Sequence, residues 1–158
     1  MTSHNDTPVA AHDQRSTIHI LAHVPEHAPR EGDPHYHLFM QAKSRIKRQG
    51  LWKCALSDDL CGGRLELHHS HVEFSQVNAT DSAKIERAFG LHFENDEDFQ
   101  KWIESPSNLE VLCVNHHRTH YGVHVLPSAL WEAVRWHRAG QPAPAEFVAA
   151  KDLPAGRE

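Results

Sequence analysis

The chain is poor in what usually holds a domain together. Apolar residues make up 39% of its 158 positions, below the roughly 45–50% of an ordinary globular domain. The core it can build is small, and something besides packing has to help. No run of about 18 apolar residues is present, which argues against a membrane-spanning helix. The opening Met1-Thr-Ser-His-Asn-Asp6 lacks the charged-then-apolar order of a signal peptide, so a cytoplasmic protein is the expectation. Positive charge is not in excess either: the net charge is −5 with histidine neutral. Any affinity for phosphate must therefore come from local contacts rather than a global field. Internal repeats are missing as well. Cysteine is scarce, and the 3 thiols cannot all pair with one another.

Those three are Cys54, Cys61 and Cys113. In a reducing compartment, spaced cysteines in a small domain mark metal more often than disulfide. His116 offers a fourth ligand, and a Cys3His set suits tetrahedral structural zinc, whose closed shell contributes directly to folding. Cys113 and His116 have the tight spacing such a knuckle needs. Cys54 and Cys61 are looser, and three independent buried thiols are the plain alternative.

The chain reads as α+β, with one domain over residues 33–138. Residues 1–32 are expected as a flexible segment containing a short strand at Thr17–Val24, and residues 139–158 as a loose tail. The histidines scattered through the N-terminal segment match no ligand pattern. Asp33-Pro34 has the form of a helix start. Leu38, Phe39, Ala42 and Ile46 then follow at helical spacing, and Gly50 ends the run. That helix and its exit carry Lys43, Arg45, Lys47, Arg48 and Lys53, with no acid from Gln41 to Ser57. It is the concentrated positive stretch of an acidic protein, either an ordinary solvated face or a phosphate-contacting one. Arg64–Phe74 alternates as a strand with Leu65, Leu67 and His69 on one face. Two amphipathic helices are expected within 82–103, the first using Ile85, Ala88 and Phe89, the second Phe99, Trp102 and Ile103. A short buried segment covers Leu109–Leu112. One or two helical turns follow over Asn115–Tyr121, and Pro127-Ser128 opens a last helix packing Leu130, Trp131, Val134 and Trp136.

Two blocks hold most of the chemistry: Leu65-Glu-Leu-His-His-Ser-His-Val-Glu73 and Asn108-Leu-Glu-Val-Leu-Cys-Val-Asn-His-His-Arg-Thr-His120. Each contains an adjacent His-His pair. Neutral imidazole is both the commonest metal ligand and a usable base near neutral pH. Adjacent strand residues point to opposite sides, so one of His68 and His69 can bind metal while the other faces water if the pair sits at a strand end or bend. Breaking a phosphodiester needs a nucleophilic water and an offset to charge on the phosphate and leaving oxygen, and one divalent ion with one imidazole supplies both. An asparagine near a turn can hold a loop through its backbone.

Leu67-His-His69, Asn108-Leu-x-x-Leu-Cys113 and His116-His117 together resemble the HNH endonuclease family, over roughly residues 51–124. The resemblance implies a small zinc-stabilised ββα-metal core with flanking helices, residues 76–104 being an insertion. It implies His68 and His117 as ligands of a catalytic divalent ion (Mg, Mn, Ni or Zn), His69 as the general base and Asn108 as the loop-organising asparagine. Cys54, Cys61, Cys113 and His116 would hold a structural zinc. Family members with a further helix histidine place it four residues after the ligand, which here is Tyr121. His120 stands at three residues and is the candidate for that place, with His124 beyond Gly122 or water as the alternatives. DNA is the implied partner, with phage DNA processing or packaging in a host cytoplasm as the implied setting.

Other readings exist. His71-Val-Glu73 matches half of a zinc deaminase signature, but the second half is absent. A zinc-stabilised DNA-binding module without catalysis keeps the knuckle and leaves the adjacency of His68 and His69 unexplained. A histidine-rich metal buffer leaves Asn108 and the basic helix unexplained. Exposure is the expectation for His71 itself.

Overall fold

Two short strands organise the protein. Strand β1 (Leu65–His69) pairs antiparallel with β2 (Leu109–Cys113), from Leu65 opposite Cys113 to His69 opposite Leu109. The computed structural model describes residues 32, 35–135, 138–143 and 149–152. The N-terminal strand expected at Thr17–Val24, the helix start at Asp33-Pro34 and Trp136 lie outside them. Helix α1 (Tyr36–Arg48) precedes the strands. Helices α2 (Ser82–Phe89) and α3 (Asp96–Ile103) fall between them, α4 (Val114–Arg118) leaves β2 directly, and α5 (Ser128–Arg135) is followed among the described residues by a 3-10 turn at Ala150–Asp152. The result is a small α+β protein with a two-stranded sheet.

The local chemistry accounts for these elements. Gly50 (φ +70°) follows the end of α1 in the left-handed region, which glycine enters without steric cost. Asp81 caps α2 by accepting from the backbone N–H of Ala83, and Asn95 caps α3 by accepting from Asp98. Asp96, Glu97 and Asp98 fill the first turn of α3, where negative charge complements the helix dipole. β1 is shorter than the alternation suggests: it stops at His69, and a 3-10 helix takes over at Phe74–Ala79.

The core is small and divided. Val72, Val77, Phe99, Trp102 and Ile103 form one cluster beneath the segment between the strands. Cys54, Leu112, Cys113, Trp131 and Val134 form the other, so two of the three cysteines are part of a hydrophobic core. The stripe assigned to α2 is only partly buried. Ala88 and Phe89 are exposed, although the Phe89 ring still lies 5.6 Å from that of Trp102. Helix α2 buries no residue fully.

Candidate functional site

Four of the predicted metal ligands come together where the chain enters and leaves the sheet. His116 Nδ1 lies 3.2 Å from Cys113 Sγ, 3.5 Å from Cys54 Sγ and 3.6 Å from Cys61 Sγ. Zn–S and Zn–N bonds of usual length put sulfur and nitrogen about 3.5 Å apart in a tetrahedron, so the donor set fits a zinc-like ion. The opposite ring nitrogen, His116 Nε2, is buried and faces the Asp58 carboxylate at 3.5 Å. A carboxylate behind a ligating imidazole fixes its tautomer and raises its basicity.

Backbone contacts lock this cluster. Ala55 N–H donates to Val111 O, Val114 N–H to Arg64 O and Asn115 N–H to Gly62 O. Gly63 sits at φ +79°, and a Cβ there would meet Val114 at 2.0 Å, so only glycine lets the loop pass this close to α4. The thiols respond to their crowding. Burial pushes the Cys54 thiol up, but hydrogen bonds from His116 and from backbone around the sulfur outweigh it and bring it down to about 6. Cys61 is pushed up to about 12, by desolvation first and by the neighbouring Cys54 and Cys113 sulfurs. Three thiolates cannot share this space without a cation between them.

A second cluster forms on the other side of α4. His68, His117 and His124 offer nitrogens within 4.8 Å of one another. His68 comes from β1, His117 from α4, and His124 from the loop after it. Two backbone hydrogen bonds deliver that loop, Val123 N–H to His116 O and His124 N–H to His117 O. Gly122 makes the reversal possible: a Cβ there would stand 2.8 Å from the backbone of His117 and Arg118. The third member is therefore His124. His120, the residue expected at this place, is exposed with its ring beside Tyr121. The reason is local. Helix α4 ends at Arg118, so three-residue helical spacing no longer applies at position 120.

Each histidine of the second cluster is prepared differently. His68 is 3% exposed and its Nδ1 has no hydrogen-bond partner. Burial first, then the neighbouring His117 and His124, lower its pKa to about 3, so the ring stays neutral and able to ligate. His117 Nδ1 stands 2.7 Å from Glu66 Oε2 while its Nε2 lies 3.2 Å from His124 Nε2. One nitrogen is thus engaged by a carboxylate and the other faces the cluster, the arrangement expected of a metal-bound imidazole. Glu66 also accepts from Arg118 and Arg64. Arg118 chiefly, helped by His117 and Arg64 against the cost of burial, holds its carboxyl at about 2. Burial lowers the pKa of His117, against the opposing pull of Glu66.

His69 takes no part in either cluster. Strand alternation turns it to the opposite face from His68, where its Nε2 meets both Glu104 oxygens at 3.1 and 3.2 Å. Both residues are buried, and Phe39 of α1 stacks on the imidazole with ring centroids 5.6 Å apart. Asn108, fully buried, holds the loop just beyond. Its Oδ1 accepts from His71 and Val72 N–H, and its Nδ2 donates to Val72 O and Ile103 O. All four polar valences of the amide are used. His71 itself is exposed, with its ring 4.6 Å from Phe89.

The basic residues lie on α1 and just after it. Lys43 and Lys47 place their ammonium groups over the Trp52 ring, 5.5 and 4.7 Å from its centroid. Lys47, Arg48 and Lys53 are exposed, and Lys43 and Arg45 are half-buried. A groove of about 640 Å³ runs beside the second cluster, lined by His68, Ser70, His71, Ser107, Glu110 and Arg135 among others. Glu66, Glu104 and Asp58 are the supporting acids that sequence reading missed. A signal existed for Glu66, two residues before His68 and so on the same strand face. None existed for Glu104, which reaches His69 across 35 positions. No family model, curated protein or solved structure matches this chain.

Proposed function

We propose that the protein is a metal-dependent endonuclease of the HNH type, hydrolysing DNA phosphodiester bonds, with β1, β2 and α4 as its ββα-metal unit. The observation that carries this reading is the division of the adjacent pair on β1. His68 joins His117 and His124 in a group able to hold one divalent ion. His69, one residue on, is kept out of that group and oriented by Glu104. A purely structural metal site has no use for a second, separately oriented imidazole.

A divalent ion bound by His68, His117 and His124 would supply positive charge to offset that on the phosphate and leaving oxygen. The residues of the chain do the rest. His69 accepts the proton of the attacking water, and Glu104 stabilises the imidazolium that results while Phe39 fixes the ring plane. Glu66 keeps His117 turned with Nε2 toward the cluster. Asn108 fixes the loop that leaves His69, so the base cannot drift relative to the metal ligands. The cysteine cluster holds the α4 end of the sheet in register. Helix α1 brings Lys43, Lys47 and Arg48 to the same element that carries Phe39, so phosphate contact and base positioning share one helix.

A plasmid-nicking assay with Mg²⁺, Mn²⁺, Ni²⁺ or Zn²⁺ tests this. Wild type should convert supercoiled DNA to open or linear forms, and His69→Ala should lose about 10²–10⁴-fold of that rate while retaining both metal sites. Undiminished cleavage by the variant would overturn the base assignment. DNA binding with no cleavage under any metal would favour the non-catalytic zinc-stabilised module instead.

A further inference from the structure

Glu73 follows the loop that Asn108 ties down. Because the backbone at His71 and Val72 is held by one buried amide, the next carboxylate is delivered to a defined place. Its Oε1 lies 3.4 Å from His124 Nε2 and 3.7 Å from His68 Nδ1. His124 Nε2 is in turn 3.2 Å from His117 Nε2. Three imidazole nitrogens therefore gather around one point, and the Glu73 carboxylate stands beside two of them.

A carboxylate set against imidazoles either accepts their N–H groups or joins their nitrogens around a cation. The first arrangement leaves His68 unaccounted for, because its Nδ1 is buried beside the carboxylate and makes no hydrogen bond. Separations of about 3.0–3.5 Å are what neighbouring ligands of one small divalent ion show, and the carboxylate stands close to that range from two of the three histidines. We propose that Glu73 is the fourth protein ligand of the His68–His117–His124 group, so the ion sits in a three-histidine, one-carboxylate shell. The inference rests on the proposed reading only in treating that group as a metal site. Glu73 is 39% exposed where His68 is 3% exposed, which makes it the ligand on the open side of the shell. Its hard anionic oxygen also biases the site toward ions such as Mn²⁺ that favour oxygen donors.

The test uses the full chain loaded with one equivalent of Zn²⁺ to fill the cysteine cluster, then titrated with Co²⁺ while the visible absorption is read. Glu73→Gln, which keeps shape and removes charge, should bind Co²⁺ about tenfold or more weakly, with an altered visible band. Glu73→Ala should do the same, and both should keep wild-type circular dichroism. Binding by both variants within twofold of wild type, with an unchanged band and a loss in His124→Ala, would overturn the role of Glu73 and leave the nuclease reading standing. Co²⁺ binding that depends on Glu73, in a protein that nicks no DNA, would sustain the ligand and overturn the nuclease. No Co²⁺ uptake by wild type beyond the zinc would overturn both.

Discussion

His116 and His117 are neighbours in the chain, yet they face different clusters, and the two clusters have opposite characters. Around His116, Cys54 and Cys113 are buried, Trp131 and Val134 pack alongside, and backbone hydrogen bonds close the loop from both sides. Around His117, one partner is buried, the other is exposed, and a groove opens beside them. A closed metal shell contributes to folding, and an open one leaves room for chemistry. The lesson is that residue type alone does not assign the job. Burial, and what stands behind each imidazole, assigns it.

The largest expected effect breaks the cysteine side. Structural zinc contributes on the order of 10 kcal/mol to folding in small zinc domains, comparable with the whole stability of a domain this size. Cys113→Ser should therefore lose its zinc and its far-ultraviolet circular dichroism together, whereas His117→Ala should keep both. A folded, fully stable Cys113→Ser would erase the distinction between the clusters. Next in size is Asn108→Ala, which takes from four backbone groups their one side-chain partner. It should cost about 3 kcal/mol in a denaturant titration while zinc at the cysteine cluster stays stoichiometric, since that amide serves the histidine side. A cost below about 1 kcal/mol would mean the loop is held by something else. Smallest is Glu66→Gln. It keeps an acceptor for His117 but removes the charge, so the second ion should bind about tenfold more weakly, measured by competition with a fluorescent chelator. The change in stability should be slight, because the ion pairs to Arg64 and Arg118 are exposed ones. Unchanged affinity would show that Glu66 serves only those arginines.

What the sequence made legible follows from local rules. Cys113 and His116 are three apart at a strand-to-helix junction, and Asn108 stands just before the start of β2. The patterns at Cys113, His116 and Asn108 survive without knowledge of the tertiary fold. The α+β class, the cysteine cluster and the separation of His68 from His69 were readable for that reason. His124 was not, because the choice between it and His120 depends on where α4 stops and on Gly122 allowing the chain to turn back. Glu104 and Glu73 were not readable either. Each reaches its histidine through packing that no spacing rule encodes. Phe89 misled in the other direction: its helical spacing was that of a core residue, but the helix it sits on lies at the surface.

Under the proposed function, one cluster holds the fold and the other performs the chemistry. A stepwise chelator titration of the metal-loaded protein, with bound metal, circular dichroism and plasmid nicking followed in parallel, tests it most directly. Two separate events are expected: the first ion leaves with all of the nicking activity and none of the structure, and the structure is lost only with the second. Loss of structure and activity in a single step, with both ions leaving together, would contradict it.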